Sequence, residues 1–235
     1  MNTIADIKHA FFINLDSRPD RKQHVEGQMS ALGIPAERFK AIKLKNGAIG
    51  CSMSHIKVLE MAKANDLPHV LIVEDDILFT KPAVFVEQLN RFLAGRKDFD
   101  VVLFAGNNMP PYAVVDDSCI RVSKCQTTTG YLVQRHYYDT LIANYKKGIE
   151  CLMREPQNHH LYAIDKYWFH LQAIHKWYLI TPLTVVQRED YSDIEKRPTN
   201  YMRHMLDLDK QSLFRPPPQE IHAPPPKVDL RKMTF

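Results

Sequence analysis

At 235 residues, 45% apolar and 25% charged, the chain has the make-up of one globular domain with a tail. Its net charge of +4 is small and its basic residues are dispersed, which excludes a nucleic-acid footprint and suits an anionic substrate. No apolar run reaches the roughly 20 residues of a membrane span, the start "MNTIADIKHAFFINLD" is too polar for a secretory leader, and four cysteines without a C-x-x-C pair read as reduced thiols. A soluble, cytoplasmic protein is the expectation.

"AFFINLD" (10–16) is short, apolar and rich in β-formers, which predicts a buried strand with a polar end. "SRPDRKQHVEGQMSALG" predicts a helix with Ser17 as N-cap, Pro19 in the first turn, Val25, Met29 and Leu32 on one face, and Gly33 as the stop. "FKAIKL" (39–44) predicts a second strand, completing a parallel βαβ unit. "HIKVLEMAKAN" predicts a helix burying Ile56, Leu59 and Ala62, capped by Ser52 or Ser54. "HVLIVED" is continuously apolar, as in a strand covered on both faces. "AVFVEQLNRFLAG" (83–95) predicts a helix ended by Gly95, and "FDVVLFAG" (99–106) another buried strand.

In the second half, "CIRVSKCQTTTGYLVQ" predicts strands paired around a turn and "RHYYDTLIANYKKG" a helix stopped by Gly148. "AIDKYWFHLQAIH" predicts a helix starting near Asp165, and "WYLITPLTVVQ" a late strand. The alternation predicts a layered α/β fold over 1–214. The last segment, "RPPPQEIHAPPPKVDLRKMTF" (215–235), holds six prolines in two triplets and predicts an extended polyproline II tail, a linker or a partner ligand.

In open α/β sheets ligands bind beyond the carboxyl ends of the strands. Two strands end in acids there: "FFINLD" at Asp16 and "HVLIVEDD" at Glu74, Asp75 and Asp76. Three adjacent carboxylates repel one another where a buried strand ends. A solvated acidic turn relieves that repulsion. So does a divalent cation, Mg²⁺ or Mn²⁺, held by two of the oxygens with waters and substrate phosphates. Strand alternation puts Glu74 and Asp76 on one side and Asp75 on the other. Asp165 heads a helix, either as a simple N-cap or as a carboxylate facing a site. His159, His160, His170 and His175 crowd among Tyr162, Tyr167 and Trp168, which fits a packed helix face better than a zinc site. No G-x-x-x-x-G-K-[ST] loop occurs, which excludes an ordinary P-loop enzyme.

"FFINLDSRPDRK", "GAIGCSMSHIKVLEMA" and "LIVEDDI", followed by "TTTGYLVQR", "IDKYW" and "PLTVVQREDYSDI", resemble in that order the signature segments of family-25 glycosyltransferases. That family includes lipooligosaccharide and collagen galactosyltransferases. The resemblance spans about residues 11–195 and leaves the tail uncovered. It implies a GT-A-type (Rossmann-like) single domain with a mixed, mostly parallel sheet, a UDP-sugar donor (commonly UDP-galactose), Mn²⁺ at an acidic motif, and inversion at the sugar carbon.

Carried over residue by residue, the resemblance implies Asp76 as a direct metal ligand. Glu74 would reach the metal shell or the ribose, with Asp75 beside them in the donor site. Asn14, Leu15, Asp16, Arg18 and Arg21 fall around the nucleotide, and Ser54 and His55 near phosphate or metal. Thr129 and Gly130 would lie close to the sugar, and Gln187, Ser192 and Asp193 at donor or metal. Asp165 becomes the general base that deprotonates the hydroxyl of a glycan or protein-linked acceptor. A lipid-linked acceptor would bring the chain to a membrane surface without a spanning segment. Two other functions share these features: nucleotidyl transfer on a similar scaffold, and an interaction protein on a retired transferase fold that uses its Pro triplets. The intact Glu74-Asp75-Asp76 motif and Asp165 weigh against the second.

Overall fold

A computed structural model of the chain describes residues 1–210. The proline-rich tail expected from Arg215 lies outside the described residues. Strand β1 (Ala10–Asn14) leads into helix α1 (Pro19–Ala31), which starts on Pro19 after Arg18, not on a Ser17 cap, and buries Val25 and Met29. The chain then turns at Gly33, whose φ of +67° favours glycine. Strand β2 (Ala36–Lys40) ends four residues earlier than the sequence suggests. The reason lies in the next segment: Ile42 N–H donates to Ser54 Oγ at 2.8 Å, drawing residues 41–46 off the sheet and onto helix α2 (Gly47–Ala64). A Cβ at Gly50 would stand 2.5 Å from Ile42 O, so only glycine admits this approach. Asn46 caps α2, accepting from Ala48 N and Ile49 N; Ser52 and Ser54 lie inside the helix and donate back to its carbonyls.

Strand β3 (His69–Glu74) runs through the acidic turn into β4 (Ile77–Phe79) and helix α3 (Pro82–Gly95), which buries Phe85, Leu89, Phe92 and Leu93. Next come β5 (Val101–Leu103), β6 (Asn107–Asn108), β7 (Ala113–Asp116), β8 (Cys119–Arg121), β9 (Cys125–Gln126) and β10 (Gly130–Gln134). Helix α4 (Tyr138–Arg154) passes straight through Gly148. That glycine is an interior packing position: a Cβ there would lie 3.2 Å from Tyr162 O. The helix expected from Asp165 is three pieces, α5 (His159–Tyr162), α6 (Ile164–Tyr167) and α7 (Phe169–Ile174). Trp168 breaks it, buried with its indole N–H on Cys125 O at 2.9 Å. The late strand is two, β11 (Trp177–Ile180) and β12 (Val185–Gln187), separated at Pro182, which cannot donate to a ladder. A hairpin of β13 (Asp190–Ser192) and β14 (Arg197–Thr199) and the short α8 (Met202–Leu206) complete the description.

Among the described residues the main sheet has eight strands in the order β2-β1-β3-β10-β5-β11-β8-β7. Six run one way, and β10 and β8 run against them. This is the mixed, mostly parallel α/β sheet expected. Alternation sends Leu71 and Val73 of β3 to a core under α1 and α3, and Val70 and Ile72 to a core under α2 and α4. No described helix is long and apolar enough to cross a membrane. The ends of β1, β3 and β5 and the start of β10 meet on one edge: Ile13 pairs with Glu74, and Glu74 N–H donates to Thr129 O at 2.9 Å.

Candidate active site

A cavity of about 590 Å³ opens at that edge. Its floor is the acidic turn, where the three carboxylates part company. Asp75 is tied down: its Oδ2 accepts from Asn14 Nδ2 at 2.7 Å and its Oδ1 from Arg21 at 2.9 Å. Burial still pushes its carboxyl above the usual range against those contacts. Glu74 accepts from Thr128 Oγ1 at 2.7 Å and lies 3.4 Å from His55 Nε2. Burial would raise it, but His55 and Thr128 outweigh that and hold Glu74 below its ordinary value. Asp76 has the poorest company. Its side chain is 13% exposed, Oδ2 lies 3.4 Å from Arg21 and 3.5 Å from Gln187, and Oδ1 is buried without a partner. Burial first, then the charges of Glu74 and Asp75, push its carboxyl up to about 8 against Arg21.

That unpartnered oxygen is the observation that tests a cation here. A buried carboxylate oxygen without a donor is costly, and a hard divalent ion bound by oxygen is what removes the cost. Asp76 Oδ1 and the unbonded side of Glu74 supply carboxylate oxygens of that kind, so the residues fit the ion.

The next wall comes from far along the chain. Arg188 N–H donates to Asp76 O at 2.8 Å as β12 pairs with β4, which folds the Gln187–Asp193 block over the acidic turn. Asp190 Oδ2 collects three guanidiniums, from Arg18 at 2.7 Å, Arg21 at 3.0 Å and Arg188 at 2.9 Å. Burial opposes its charge, but the Tyr191 N–H and the arginines bring its carboxyl down to about 2. Arg18 also holds Asp193 at 2.9 Å. The hairpin tip touches α2, where a Cβ at Gly47 would lie 3.1 Å from Ile194 Cγ1. The hairpin thus spans the pocket from α1 to α2.

Asp165 stands on a third wall, in the first turn of α6 and not at its cap. Thr127 N–H donates to its Oδ2 at 3.2 Å, with Thr127 and Thr128 lining the pocket beside it. Burial raises its carboxyl, while Lys166 and that N–H oppose the shift.

Of the residues singled out in the sequence, Leu15, Arg18, Arg21, Ser54, Glu74, Asp75, Asp76, Asp165, Gln187, Ser192 and Asp193 line this one cavity. Five do not. Asn14 is buried beneath Asp75, with Arg38 Nε on its Oδ1 at 3.0 Å. Asp16 turns outward to Arg38 and Lys40. His55 is wholly buried behind Glu74, its Nδ1 2.8 Å from Tyr131 Oη. Thr129 is buried on Thr127 Oγ1 at 2.6 Å, and Gly130 packs against Ile77, whose Cδ1 would lie 2.8 Å from a Cβ. The four histidines divide: His159 and His160 are exposed on the pocket wall, His170 is exposed with its ring 5.5 Å from that of Tyr167, and His175 is half-buried with its ring 5.3 Å from that of Tyr137. Sequence reading missed Thr128, Cys51 and Asp190. All three sit inside the quoted segments "TTTGYLVQR", "GAIGCSMSHIKVLEMA" and "PLTVVQREDYSDI", which was the available signal.

The sequence model of the family described as "Glycosyltransferase family 25 (LPS biosynthesis protein)" matches residues 43–167. A "Glycosyltransferase 25 family member" of Drosophila pseudoobscura pseudoobscura is 26% identical over 161 residues, 54% of this chain and 26% of its own length. The "Lipooligosaccharide biosynthesis protein lic2B" of Haemophilus influenzae is 29% identical over 104 residues, 36% of this chain and 37% of its own. The chain therefore spans about a quarter to a third of the length of such relatives. Looser likenesses of shape include a glycosyltransferase involved in glycosylating the major capsid of PBCV-1, with a TM-score of 0.43 at 10% identity over 73% of this chain and 81% of that one. A Drosophila galactosyltransferase in complex with manganese, UDP-Gal and xylobiose gives 0.42 at 11% identity over 89% and 79%. The profile match covers more than half the chain and takes in the Cys51–His55 helix, the acidic turn and Asp165: the chain belongs to glycosyltransferase family 25.

Proposed function

We propose that the chain is a metal-dependent, inverting glycosyltransferase that moves a hexose, galactose first among the candidates, from a UDP-sugar to a hydroxyl of a glycan or protein-linked acceptor. The observation that carries this reading is the single cavity bringing Asp76, with its unpartnered oxygen, together with Glu74, Arg18, Arg21 and Asp165 from separate elements.

Asp76 and Glu74 would hold Mn²⁺ or Mg²⁺, and a cation there neutralises the charge that grows on a diphosphate leaving group. The remaining work falls to the chain. Arg18 and Arg21 present planar donors suited to phosphate or a base carbonyl, once the carboxylates of the hairpin yield to the nucleotide. Leu15 and the backbone after β1 flank that space. Asp165 is oriented by Thr127 N–H on one oxygen, leaving the other to take the acceptor proton. Its raised pKa brings it closer to working pH. The hairpin excludes water from the donor side, which protects the sugar carbon from hydrolysis.

Calorimetry of UDP binding tests the reading: the expected result is binding with Mn²⁺, none in EDTA, and none in Asp76→Ala. Equal UDP affinity with and without chelator would remove the cation from the mechanism. A screen of UDP-, GDP- and CMP-sugars for Mn²⁺-dependent hydrolysis then selects the donor.

A further inference from the structure

Three ligand-type atoms converge beside the acidic turn in a combination that the transfer reaction does not call for. Cys51 and His55 stand at i and i+4 on α2, one above the other on the same face, and Glu74 meets them from the end of β3. Cys51 Sγ lies 3.7 Å from Glu74 Oε1, and His55 Nε2 lies 3.4 Å from the same oxygen. All three atoms fall within 4.8 Å of one another.

These separations are close to the edges of a zinc tetrahedron. Bonds of about 2.3 Å to sulfur and about 2.0–2.1 Å to nitrogen and oxygen place S and O roughly 3.6 Å apart and N and O roughly 3.4 Å apart. Hydrogen bonding accounts for the histidine, but a thiol gains little from a carboxylate at that range, because S–H is a weak donor. The second ring nitrogen is also held as a metal-bound histidine requires. His55 Nδ1 sits 2.8 Å from Tyr131 Oη, to which Tyr145 Oη donates at 3.4 Å, all of it buried. Cys51 and Glu74 both line the cavity, so a fourth coordination position would open onto it.

We propose that Cys51, His55 and Glu74 form a soft-metal site for zinc, distinct in its thiolate and imidazole ligands from the neighbouring carboxylate cation site at Asp76 and sharing Glu74 with it, with its open position facing the pocket. Thiolate and imidazole select zinc, whereas Mn²⁺ and Mg²⁺ favour an all-oxygen shell. Binding releases the Cys51 thiol proton to water and forms the metal–sulfur bond, with no change of oxidation state. Glu74 Oε1 belongs to this site and Asp76 Oδ1 to the other. The proposal does not depend on which sugar, if any, the pocket transfers.

Cobalt is the probe, because thiolate ligation gives a charge-transfer band that carboxylates cannot. The full chain is stripped with EDTA and titrated with Co²⁺, and the band is expected to saturate at one equivalent and to vanish when Zn²⁺ is added. Cys51→Ser should abolish the band and weaken Zn²⁺, in competition with a chromophoric chelator, by at least roughly 10–100-fold. Asp76→Asn and Cys151→Ser should keep it. Thermal unfolding in EDTA checks that each variant is folded. Should Cys51→Ser not fold, protection of Cys51 from alkylation by stoichiometric Zn²⁺ in the unmutated chain takes its place. Cobalt bound without the band, a band that survives Cys51→Ser, a band lost in Asp76→Asn, or alkylation of Cys51 undiminished by Zn²⁺ would each overturn the proposal.

Discussion

Burial and the neighbouring Glu74 charge push the Asp76 carboxyl up to about 8 in the folded chain, against about 4 for an unfolded aspartate. The sign of the consequence is fixed by linkage. A carboxyl whose folded pKa is raised favours the fold while it is protonated, and that stability drains away as pH rises from about 4 through about 8. In EDTA, Asp76→Asn should therefore match the parent near pH 4 and exceed its Tm at pH 8, by roughly 2–4 °C for each kcal/mol of relief. Excess Mn²⁺ should stabilise the parent and not the variant. Parallel Tm curves for the two proteins would show that Asp76 ionises freely. Asp165 calls for a different measurement. Asp165→Asn should bind UDP and Mn²⁺ as the parent does yet transfer sugar roughly 10²–10⁴-fold more slowly, the usual contribution of a positioned base. Loss of UDP binding in that variant would move Asp165 to the donor side. Sequence made both acids visible, because charges at a strand end and a helix start stand out. It could not divide the labour of the three carboxylates at the turn, since the partners that separate them, Asn14, Arg21, Thr128 and His55, come from elsewhere in the chain.

The hairpin over the pocket is held by charge more than by packing. Three arginines share Asp190, whose side chain is 17% exposed, while Tyr191 and Ile194 face solvent. Asp190→Ala removes the carboxylate that joins the three arginines, leaving Arg18 on Asp20 and Asp193 and Arg21 on Asp75, and should loosen the hairpin by about 1–2 kcal/mol, raising limited proteolysis within residues 188–199 roughly 5–30-fold. Digestion patterns identical to the parent's would mean that the β12–β4 pairing alone fixes it. At this scale local sequence was a fair guide to which elements exist and a poor guide to where they stop. Gly148 sits inside a helix at a close approach: a Cβ there would meet Tyr162 O at 3.2 Å and Tyr167 Cδ1 at 3.3 Å. The segment after β2 leaves the sheet because Ser54 and Gly50, more than seven residues on, receive it. Long-range contacts set both boundaries, and no window of neighbouring residues contains them.

Across the whole molecule, one sheet serves two cores. Leu71 and Ile72 are adjacent in β3, fully buried, and point into opposite cores. Leu71→Ala and Ile72→Ala should each cost about 2–5 kcal/mol. Because β3 belongs to both cores, either change should lower one common unfolding transition seen by near-ultraviolet and far-ultraviolet dichroism alike. Separate transitions would mean that the two layers melt independently. The α/β class was legible from the alternation of apolar runs, but the strand order was not, because β10 pairs with β3 rather than with its sequence neighbours. That insertion bears on synthesis. The strand that presents Glu74 leaves the ribosome with β1 available on one side and nothing on the other. Its second partner is complete only at Gln134, some 60 residues later, or roughly 3–12 s at the usual elongation rate of about 5–20 residues/s. Throughout that interval the nascent chain displays an apolar strand edge, and a translation pause between Asp76 and Gln134 would lengthen its exposure to chaperones and to other nascent chains.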